Sequence, residues 1–315
     1  MDIKYLHFLQ GIRESAPEWF NDLIQFITDI AGGILIILIP MIIFFCIDKK
    51  KGKFVLISLP IASALNVFIK NLFCVYRPWM RSELITPTEK AIKGAGGYSF
   101  PSSHTQGSAS SFGSIAFVYR KKKFIMIPCI CLVLLVAFSR NYLGVHTPQD
   151  VLVGMLVSAV VIFLINAIQK KSESSDKDNR ILYIVSIVVT LLVMIFMCLK
   201  NYPIDYDTAG NILIEPSKAV SSFTSKAGLL IGVFMALMLE EKYIEFGTDD
   251  LKLSKRIVRA VIGIVLYFIS AIISAALCSL LPIKWLSAFA QSAILYFCVL
   301  FFTPFIFTKI EARKH

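Results

Sequence analysis

The chain of 315 residues is poor in charged side chains, which make up 17% of it, while hydrophobic residues make up 57% and the mean hydropathy is +0.72. A soluble globular domain has about 25% charged residues and fewer hydrophobic ones. The composition therefore predicts an integral membrane protein that crosses the bilayer several times. The net charge of +11 lies in short clusters, without the basic, aromatic-interleaved face of a nucleic-acid-binding domain, so no nucleic-acid partner is predicted.

The sequence also lacks the patterns of several other protein classes. Its seven cysteines lie within or at the ends of apolar stretches, without zinc-ligand spacing and without an extracytoplasmic pair. The first residues mix charges with short apolar patches, so no cleavable signal peptide is predicted. No Asn-x-Ser/Thr sequon occurs, and Lys, Ile and Phe are abundant, which favours a bacterial source. No cluster of metal ligands is visible, and no metal or cofactor is predicted.

About nine apolar segments are long enough to cross a bilayer. They cover residues 24–46, 54–75, 102–119, 124–141, 148–168, 181–199, 223–240, 257–281 and 286–308. The third segment is the weakest by hydropathy, but its glycines and serines favour close helix packing, so we interpret it as an interior helix. The sequence therefore predicts an all-α membrane fold.

The sequence also predicts how the chain is divided into structural parts. Ile3, Leu6, Leu9 and Ile12 recur at helical spacing, which predicts an amphipathic helix at the membrane interface over residues 1–20. Residues 21–200 would form a six-helix core, and residues 201–315 would add three C-terminal membrane helices. The sequence leaves open whether these three form a lateral wall, shape a lipid entry gap or provide a homodimer surface.

The basic residues predict an orientation, because short cytoplasmic loops are rich in Lys and Arg. Nine crossings place the two termini on opposite sides. With the N-terminus outside, the inner side holds the basic residues within 49–53, 120–123, 170–180, 242–259 and 309–314, including Lys177, Arg313 and Lys314. The C-terminus is then cytoplasmic.

Polar residues collect on the opposite, extracytoplasmic side. They lie at span ends and in the adjoining loops: Lys70, Arg77, Ser102, Ser103, His104, Arg140, His146 and Asp150. Each has an ordinary explanation, because terminal cations snorkel to the interface and Thr147-Pro148 and Ser102 suit helix starts. Capping needs no histidine, however, and two of the four histidines stand beside these helix starts. The pattern therefore indicates a functional site.

Three sequence blocks carry a resemblance to a known family. They are K-x6-R-P at Lys70, Arg77 and Pro78, P-S-S-H at 101–104, and S-R-x5-H-x3-D at Ser139, Arg140, His146 and Asp150. The pattern resembles the type 2 phosphatidic acid phosphatase superfamily of membrane phosphatases. The family most often has glycine before the first histidine, whereas Ser103 stands here. We expect this side chain to narrow the phosphate cradle without removing a backbone donor.

The resemblance implies phosphoryl transfer, in which negative charge on the transferring group must be stabilised. It implies that His146 is the nucleophile, that Asp150 orients it, and that His104 is the acid and base. Lys70, Arg77 and Arg140 would supply cations, and the helix start at Ser102 and Ser103 would supply N–H donors. No metal is implied.

The substrate is less closely defined. A site at the interface favours a phosphorylated lipid, such as a polyprenyl diphosphate, phosphatidate or a sphingoid phosphate. A soluble phosphate ester, as for glucose-6-phosphatases, and transfer to a lipid acceptor remain alternatives. A non-catalytic anion transporter is a distant one, because no predicted span has Asp, Glu, Lys or Arg near its centre and the mid-span polar residues Asn66 and Asn166 suit helix packing.

Overall fold

A computed structural model describes residues 2–174, 180–244 and 246–312 of the chain. The described residues are mainly helical, and the β-pairing recorded in them is an isolated bridge between Tyr206 and Ile212. The predicted all-α membrane fold class is confirmed. Of the basic residues used to predict the orientation, Lys177, Arg313 and Lys314 lie outside the described residues.

The helices follow one another with short connections. They are α1 (Asp2–Ser15), α2 (Glu18–Asp29), α3 (Leu35–Ile42), α4 (Lys49–Phe73), α5 (Pro78–Arg81), α6 (Glu89–Lys93), α7 (Ser103–Val118), α8 (Lys123–Tyr142), α9 (Pro148–Ser174), α10 (Arg180–Leu199), α11 (Pro216–Tyr243), α12 (Leu253–Ser279) and α13 (Lys284–Ala312). π-Helical turns at Ile30–Ile34 and Ile43–Ile47 connect α2, α3 and the start of α4. Each predicted apolar segment coincides with helix in this arrangement.

Eight helical segments of the described chain are long and apolar enough to cross a membrane. The remaining predicted crossing is α7, which has 16 residues and therefore a length of about 24 Å. Most of its residues are buried, as expected for an interior helix. The count of nine crossings stays a prediction.

The N-terminal residues form two helices separated at Ala16 and Pro17. In α1, Leu6 and Leu9 are buried, whereas Tyr5, Phe8 and Ile12 form an exposed apolar stripe. Such a stripe suits a membrane interface. The interfacial position of α1 remains a prediction.

The structure divides into two compact units. The first contains residues 1–37, 65–162 and 200–219, and the second contains residues 38–64, 163–199 and 220–315. All eight predicted site residues belong to the first unit. The predicted division at residues 20 and 200 follows the order of the chain instead, and it stays a prediction.

In the second unit, α11 packs closely against α13. A Cβ atom on Gly228 would lie 2.2 Å from the carbonyl oxygen of Phe289, and one on Gly232 would lie 2.4 Å from that of Ala293. The two glycines are four residues apart and form the small-residue motif that lets membrane helices touch backbone to backbone.

Helix α11 also begins earlier than the predicted boundary at 223. It starts at Pro216, because the fixed φ of proline suits a first helical turn. Lys226, near the edge of the predicted span, therefore lies ten residues beyond the start of the helix.

Candidate active site

The predicted site residues are brought together at the ends of four helices. Lys70 lies in the last turn of α4, Ser102 caps α7, Arg140 lies in the last turn of α8 and Asp150 lies in the first turn of α9. The remaining members are Arg77, Ser103, His104 and His146. Residues that are far apart in the sequence, from 70 to 150, therefore meet at one place.

His146 is oriented by contacts on both ring nitrogens. Its Nε2 lies 2.7 Å from Nη1 of Arg77, and its Nδ1 lies 3.3 Å from Oδ2 of Asp150. A guanidinium can only donate, so Nε2 accepts and the ring proton sits on Nδ1, where it faces the carboxylate. The lone pair of Nε2 therefore faces Arg77, and the proton on Nδ1 faces Asp150.

The environment of His146 favours its neutral form. The side chain is 1% exposed. Burial lowers the pKa of His146 well below its usual value of 6.5, and the charges of Arg77, Arg140, Lys70 and His104 lower it further. A neutral imidazole keeps the lone pair that a nucleophile needs.

Asp150 is fixed by three donors to one oxygen. Its Oδ2 accepts from the hydroxyl of Ser99 at 2.6 Å and from the backbone N–H of Thr147 at 2.8 Å, besides its contact with His146. In return, Thr147 Oγ1 accepts from the N–H of Asp150 at 3.4 Å. This reciprocal pair is a capping box, which confirms the predicted helix start and shows that the cap also aims the carboxylate.

Arg77 connects His146 to the loop before α7. Besides His146, its guanidinium donates to the carbonyls of Gly97 at 3.0 Å, Val145 at 3.0 Å and Gly96 at 3.1 Å. From the sequence, the loop of residues 82–100 is compatible with either a mobile lid or a plain connector. These contacts hold the end of the loop against Arg77.

Lys70 directs its ammonium group to the backbone. It donates to the carbonyls of Tyr98 at 2.8 Å, Ser99 at 3.1 Å and Pro101 at 2.8 Å. An ammonium group has three N–H donors, so each has an acceptor. Lys70 thus holds the segment that leads into α7, and its positive charge stays within the site.

Arg140 makes fewer hydrogen bonds than Lys70 and Arg77 do. It is 1% exposed, and Nη1 makes a long contact of 3.4 Å with Oγ1 of Thr28. Its Nε and Nη2 atoms have no hydrogen-bond partner among the described residues. A buried guanidinium with unused donors costs free energy unless an anion pairs with it.

The start of α7 brings the second histidine to the site. Ser102 caps the helix, with its hydroxyl accepting from the N–H of Thr105 at 3.4 Å, and its own N–H donates to the carbonyl of Asp150 at 2.9 Å. Ser103 Oγ donates to Oδ1 of Asn66 at 2.6 Å, so this side chain bonds to α4. His104 is half-buried beside Gly32, where a Cβ atom would lie 2.9 Å from Cδ2 of the ring.

Sequence reasoning missed Ser99. It lies three residues before Ser102 in the stretch YSFPSSH, and chain proximity to the second block is the one signal that could have suggested it. Asn66, expected as a packing residue, hydrogen-bonds to Gln106 at 2.7 Å as well as to Ser103. Through these two hydrogen bonds, Asn66 connects α4 to α7.

Two family models match the chain. One, described as the PAP2 superfamily, covers residues 51–174, and the other, described as the PAP2 superfamily phosphatase transmembrane extension, covers residues 224–315. The chain belongs to the PAP2 superfamily. The first PAP2 match contains every predicted site residue, and the second covers the helices beyond the motifs.

Three curated PAP2 relatives are phosphatases by name. An undecaprenyl-diphosphatase of Sulfolobus acidocaldarius is 31% identical over 39% of this chain and 58% of its own length. Phosphatidylglycerophosphatase B of Bacillus subtilis is 27% identical over 49% of this chain and 77% of its own length. The undecaprenyl-diphosphatase BcrC of the same organism is 35% identical over 32% of this chain and 48% of its own length. The chain thus spans little more than half the length of the first of these relatives.

A solved structure is also similar. It is a transmembrane PAP2-type phosphatidylglycerolphosphate phosphatase from Bacillus subtilis, with 24% sequence identity and a TM-score of 0.41. The match covers 54% of this chain and 85% of that chain.

Proposed function

We propose that this PAP2 protein is a metal-independent membrane phosphohydrolase that removes phosphate from a lipid phosphate or diphosphate through a phosphohistidine on His146. The observation that carries the proposal is the combination of a buried histidine, oriented through both ring nitrogens, with a buried arginine that has two donors without a partner among the described residues. The first suits attack on phosphorus, and the second suits the charge on the phosphoryl oxygens.

In the first step, Nε2 of His146 attacks phosphorus as the bond between phosphorus and the leaving oxygen breaks. His104 gives its proton to that oxygen. As the new bond forms, Nη1 of Arg77 stops donating to Nε2 and donates to a phosphoryl oxygen instead. The Nδ1 proton remains directed at Asp150, which stabilises the positive ring of the intermediate.

In the second step, water attacks the phosphohistidine. His104, now neutral, takes a proton from the water, the bond between Nε2 and phosphorus breaks, and inorganic phosphate leaves. The enzyme returns to its starting protonation state. His104 thus regains from the water the proton that it gave to the leaving group.

The cations replace a metal in this scheme. Arg140 contributes unused N–H donors, Arg77 contributes the donor that contacts Nε2, and the first N–H groups of α7 contribute a positive helix end. Lys70 contributes charge while its hydrogen bonds keep the 98–101 backbone in place. The site is then organised before the substrate arrives.

The substrate is proposed to be a membrane lipid with a phosphate or diphosphate head. Three curated relatives are named for undecaprenyl diphosphate or phosphatidylglycerophosphate, both of which are such lipids. Exposed apolar side chains such as Leu152 and Leu156 follow the site along α9. They would contact the lipid tail or the surrounding bilayer.

The site is proposed to face the extracytoplasmic side. Helices α7 and α8 place His104 and Arg140 at one end and meet at residues 120–123, Arg-Lys-Lys-Lys, at the other. Helix α4 has the same arrangement: Lys70 lies near the end at the site, and the lysines at 49–51 and 53 lie near the other end. Because basic loops stay in the cytoplasm, the site ends lie outside.

The test is phosphate release by the detergent-purified chain in EDTA. The panel holds undecaprenyl diphosphate, phosphatidylglycerophosphate, phosphatidate, sphingosine phosphate and glucose 6-phosphate. We expect release from at least one lipid, its loss in His146→Ala, and full activity in His7→Ala, which removes an exposed histidine on α1. Labelled substrate should leave an acid-labile, alkali-stable phosphoryl group on the protein.

Several outcomes would contradict the proposal. Activity in His146→Ala equal to the wild type would exclude the phosphohistidine. Release that requires a divalent cation would exclude the metal-independent scheme. Release from glucose 6-phosphate alone would replace the lipid substrate by a soluble ester.

A further inference from the structure

The three C-terminal helices contain a polar cavity of their own. A cavity of about 200 Å³ lies between α11 and α13, lined by Ser225, Lys226, Leu229, Ala288, Gln291, Ser292, Leu295 and Tyr296. It shares no residue with the candidate active site. All its lining residues belong to the second unit.

The cavity contains a lysine inside a membrane helix. Lys226 lies about 15 Å along α11, a helix of 28 residues and about 42 Å. No carboxylate lines the cavity, and no described residue forms an ion pair or a hydrogen bond with this ammonium group. A membrane-embedded charge without a partner is costly, and such residues generally serve a bound ligand.

The neighbours of Lys226 are hydrogen-bonding groups without charge. The hydroxyls of Ser225 and Ser292 contact each other at 2.9 Å, and the amide of Gln291 and the phenol of Tyr296 line the same space. With the lysine, they form a set of donors suited to an oxyanion. Leu229 and Leu295 provide an apolar wall beside them.

The helix packing explains why the cavity lies there. Gly228 and Gly232 bring α11 into backbone contact with α13, and the cavity lies beside this crossing, with Lys226 two residues before Gly228. The four-carbon stem of a lysine can carry its ammonium group from this depth toward the interface. The anionic group that a bilayer offers at that level is the phosphate of a lipid head.

We propose that the cavity between α11 and α13 is a second anion site, in which Lys226 binds the phosphate group of an anionic phospholipid. The serine, glutamine and tyrosine side chains donate to the phosphate oxygens, and the leucines contact the glycerol and the first acyl carbons. This site binds its ligand without cleaving it. It is independent of the phosphohydrolase reaction.

The test is native mass spectrometry of the full-length, detergent-purified chain titrated with phosphatidylglycerol. Diacylglycerol with the same acyl chains is the matched lipid that lacks phosphate. We expect Lys226→Met to weaken the tightest phosphatidylglycerol binding by about tenfold to a hundredfold, since a charge-assisted hydrogen bond is lost. Lys226→Arg should retain most of the binding, and diacylglycerol binding should be the same in all variants.

Lys218→Met is the matched control, because Lys218 is an exposed lysine in the first turn of the same helix. It should bind phosphatidylglycerol as the wild type does. Millimolar inorganic phosphate provides a second arm: displacement of the lipid by phosphate identifies a site for the phosphate group from either source, and lack of displacement identifies a site for the lipid alone.

Two results would overturn the proposal. One is equal phosphatidylglycerol binding by Lys226→Met and the wild type. The other is a loss of binding in Lys226→Met that extends equally to diacylglycerol and accompanies a lower melting temperature, which would identify Lys226 as a structural residue. Phosphate release from the lipid substrate should be the same in Lys226→Met and the wild type, so failure of either proposal can be recognised separately.

Discussion

The hydroxyl of Ser99 donates to the carboxylate of Asp150, which in turn faces the ring proton of His146. Three side chains from two segments of the chain thus form one hydrogen-bonded series that ends at the lone pair of Nε2. Ser99 touches neither the phosphate nor the leaving group in the proposed reaction. It is therefore a positioning residue.

Replacing Ser99 should lower the rate and leave substrate binding largely intact. Hydrogen bonds to charged groups contribute about 1.5–3 kcal/mol, so we expect Ser99→Ala to lower kcat by about tenfold to a hundredfold with little change in KM. Ser99→Thr keeps the hydroxyl and should restore most of the rate. Ser15→Ala, at an exposed serine of α1, is the control. A rise in KM with unchanged kcat would exclude the positioning role.

The pH profile should reflect the buried state of His146. Its pKa is lowered well below 6.5, so the neutral imidazole persists as the pH falls through 6.5 and is lost only at the lower, folded-state pKa. We expect kcat/KM, which reports the free enzyme, to stay near its plateau from about pH 7 to below pH 6.5. An acid limb with its midpoint at about 6.5 would contradict this.

At the residue scale, the three sequence blocks indicated the candidate site residues, and the structure shows the partners of each. The order of these blocks indicated His146, Asp150 and the three cations as candidates. It could not show that Lys70 bonds to three carbonyls while Arg140 keeps free donors. That difference depends on the path of the 98–101 backbone, which local sequence does not determine.

At the element scale, the starts of α7 and α9 hold candidate site residues beside their caps. Thr147 and Ser102 were predicted as caps from residue type alone and are found in that role. The segment of residues 200–222 lies outside the three sequence blocks but contacts the segment that leads into α7. Its Ile214 and Ala219 pack on Tyr98, and Asp205 accepts from the phenol of Tyr76 at 2.5 Å.

The contact of α11 with α13 gives a prediction about stability. In Gly232→Val, the added Cβ would lie 2.4 Å from the carbonyl oxygen of Ala293, so the helices must separate. We expect a loss of about 1–3 kcal/mol and a lower melting temperature by differential scanning fluorimetry. Gly11→Ala, where nothing lies within 4 Å of the new atom, should melt at or above the wild-type temperature. A Gly232→Val protein as stable as the wild type would show that the close contact is not formed.

Helix composition explains which elements the sequence predicted well. Strongly apolar spans such as α10 are evident from hydropathy alone. Helix α7 was identified through its small residues, and its 16 residues leave its role as a full crossing a prediction. The break at Pro17 within residues 1–20 and the early start of α11 depend on proline positions that a hydropathy window averages out.

At the scale of the whole molecule, the candidate site and the basic turns lie at opposite ends of the helices. The proposed orientation in the membrane can therefore be tested by labelling each end. In a cysteine-free background, Asp207→Cys lies in an exposed loop on the proposed outer side and Lys121→Cys lies in an exposed basic turn on the proposed inner side. We expect an impermeant maleimide to label Asp207→Cys in intact cells and Lys121→Cys only after permeabilisation. The reverse pattern would place the site in the cytoplasm.

The Nε and Nη2 donors of Arg140, which have no partner in the described part of the chain, bear on how this protein could be engineered. A procedure that ranked substitutions by folding stability alone would choose a neutral side chain at this position early, because an uncompensated buried charge weakens the fold. The resulting protein would tolerate heat better and would have lost the donors that we propose bind phosphate oxygens. Thermostabilisation of this chain therefore has to begin by excluding Arg140 from the design, however favourable its replacement scores.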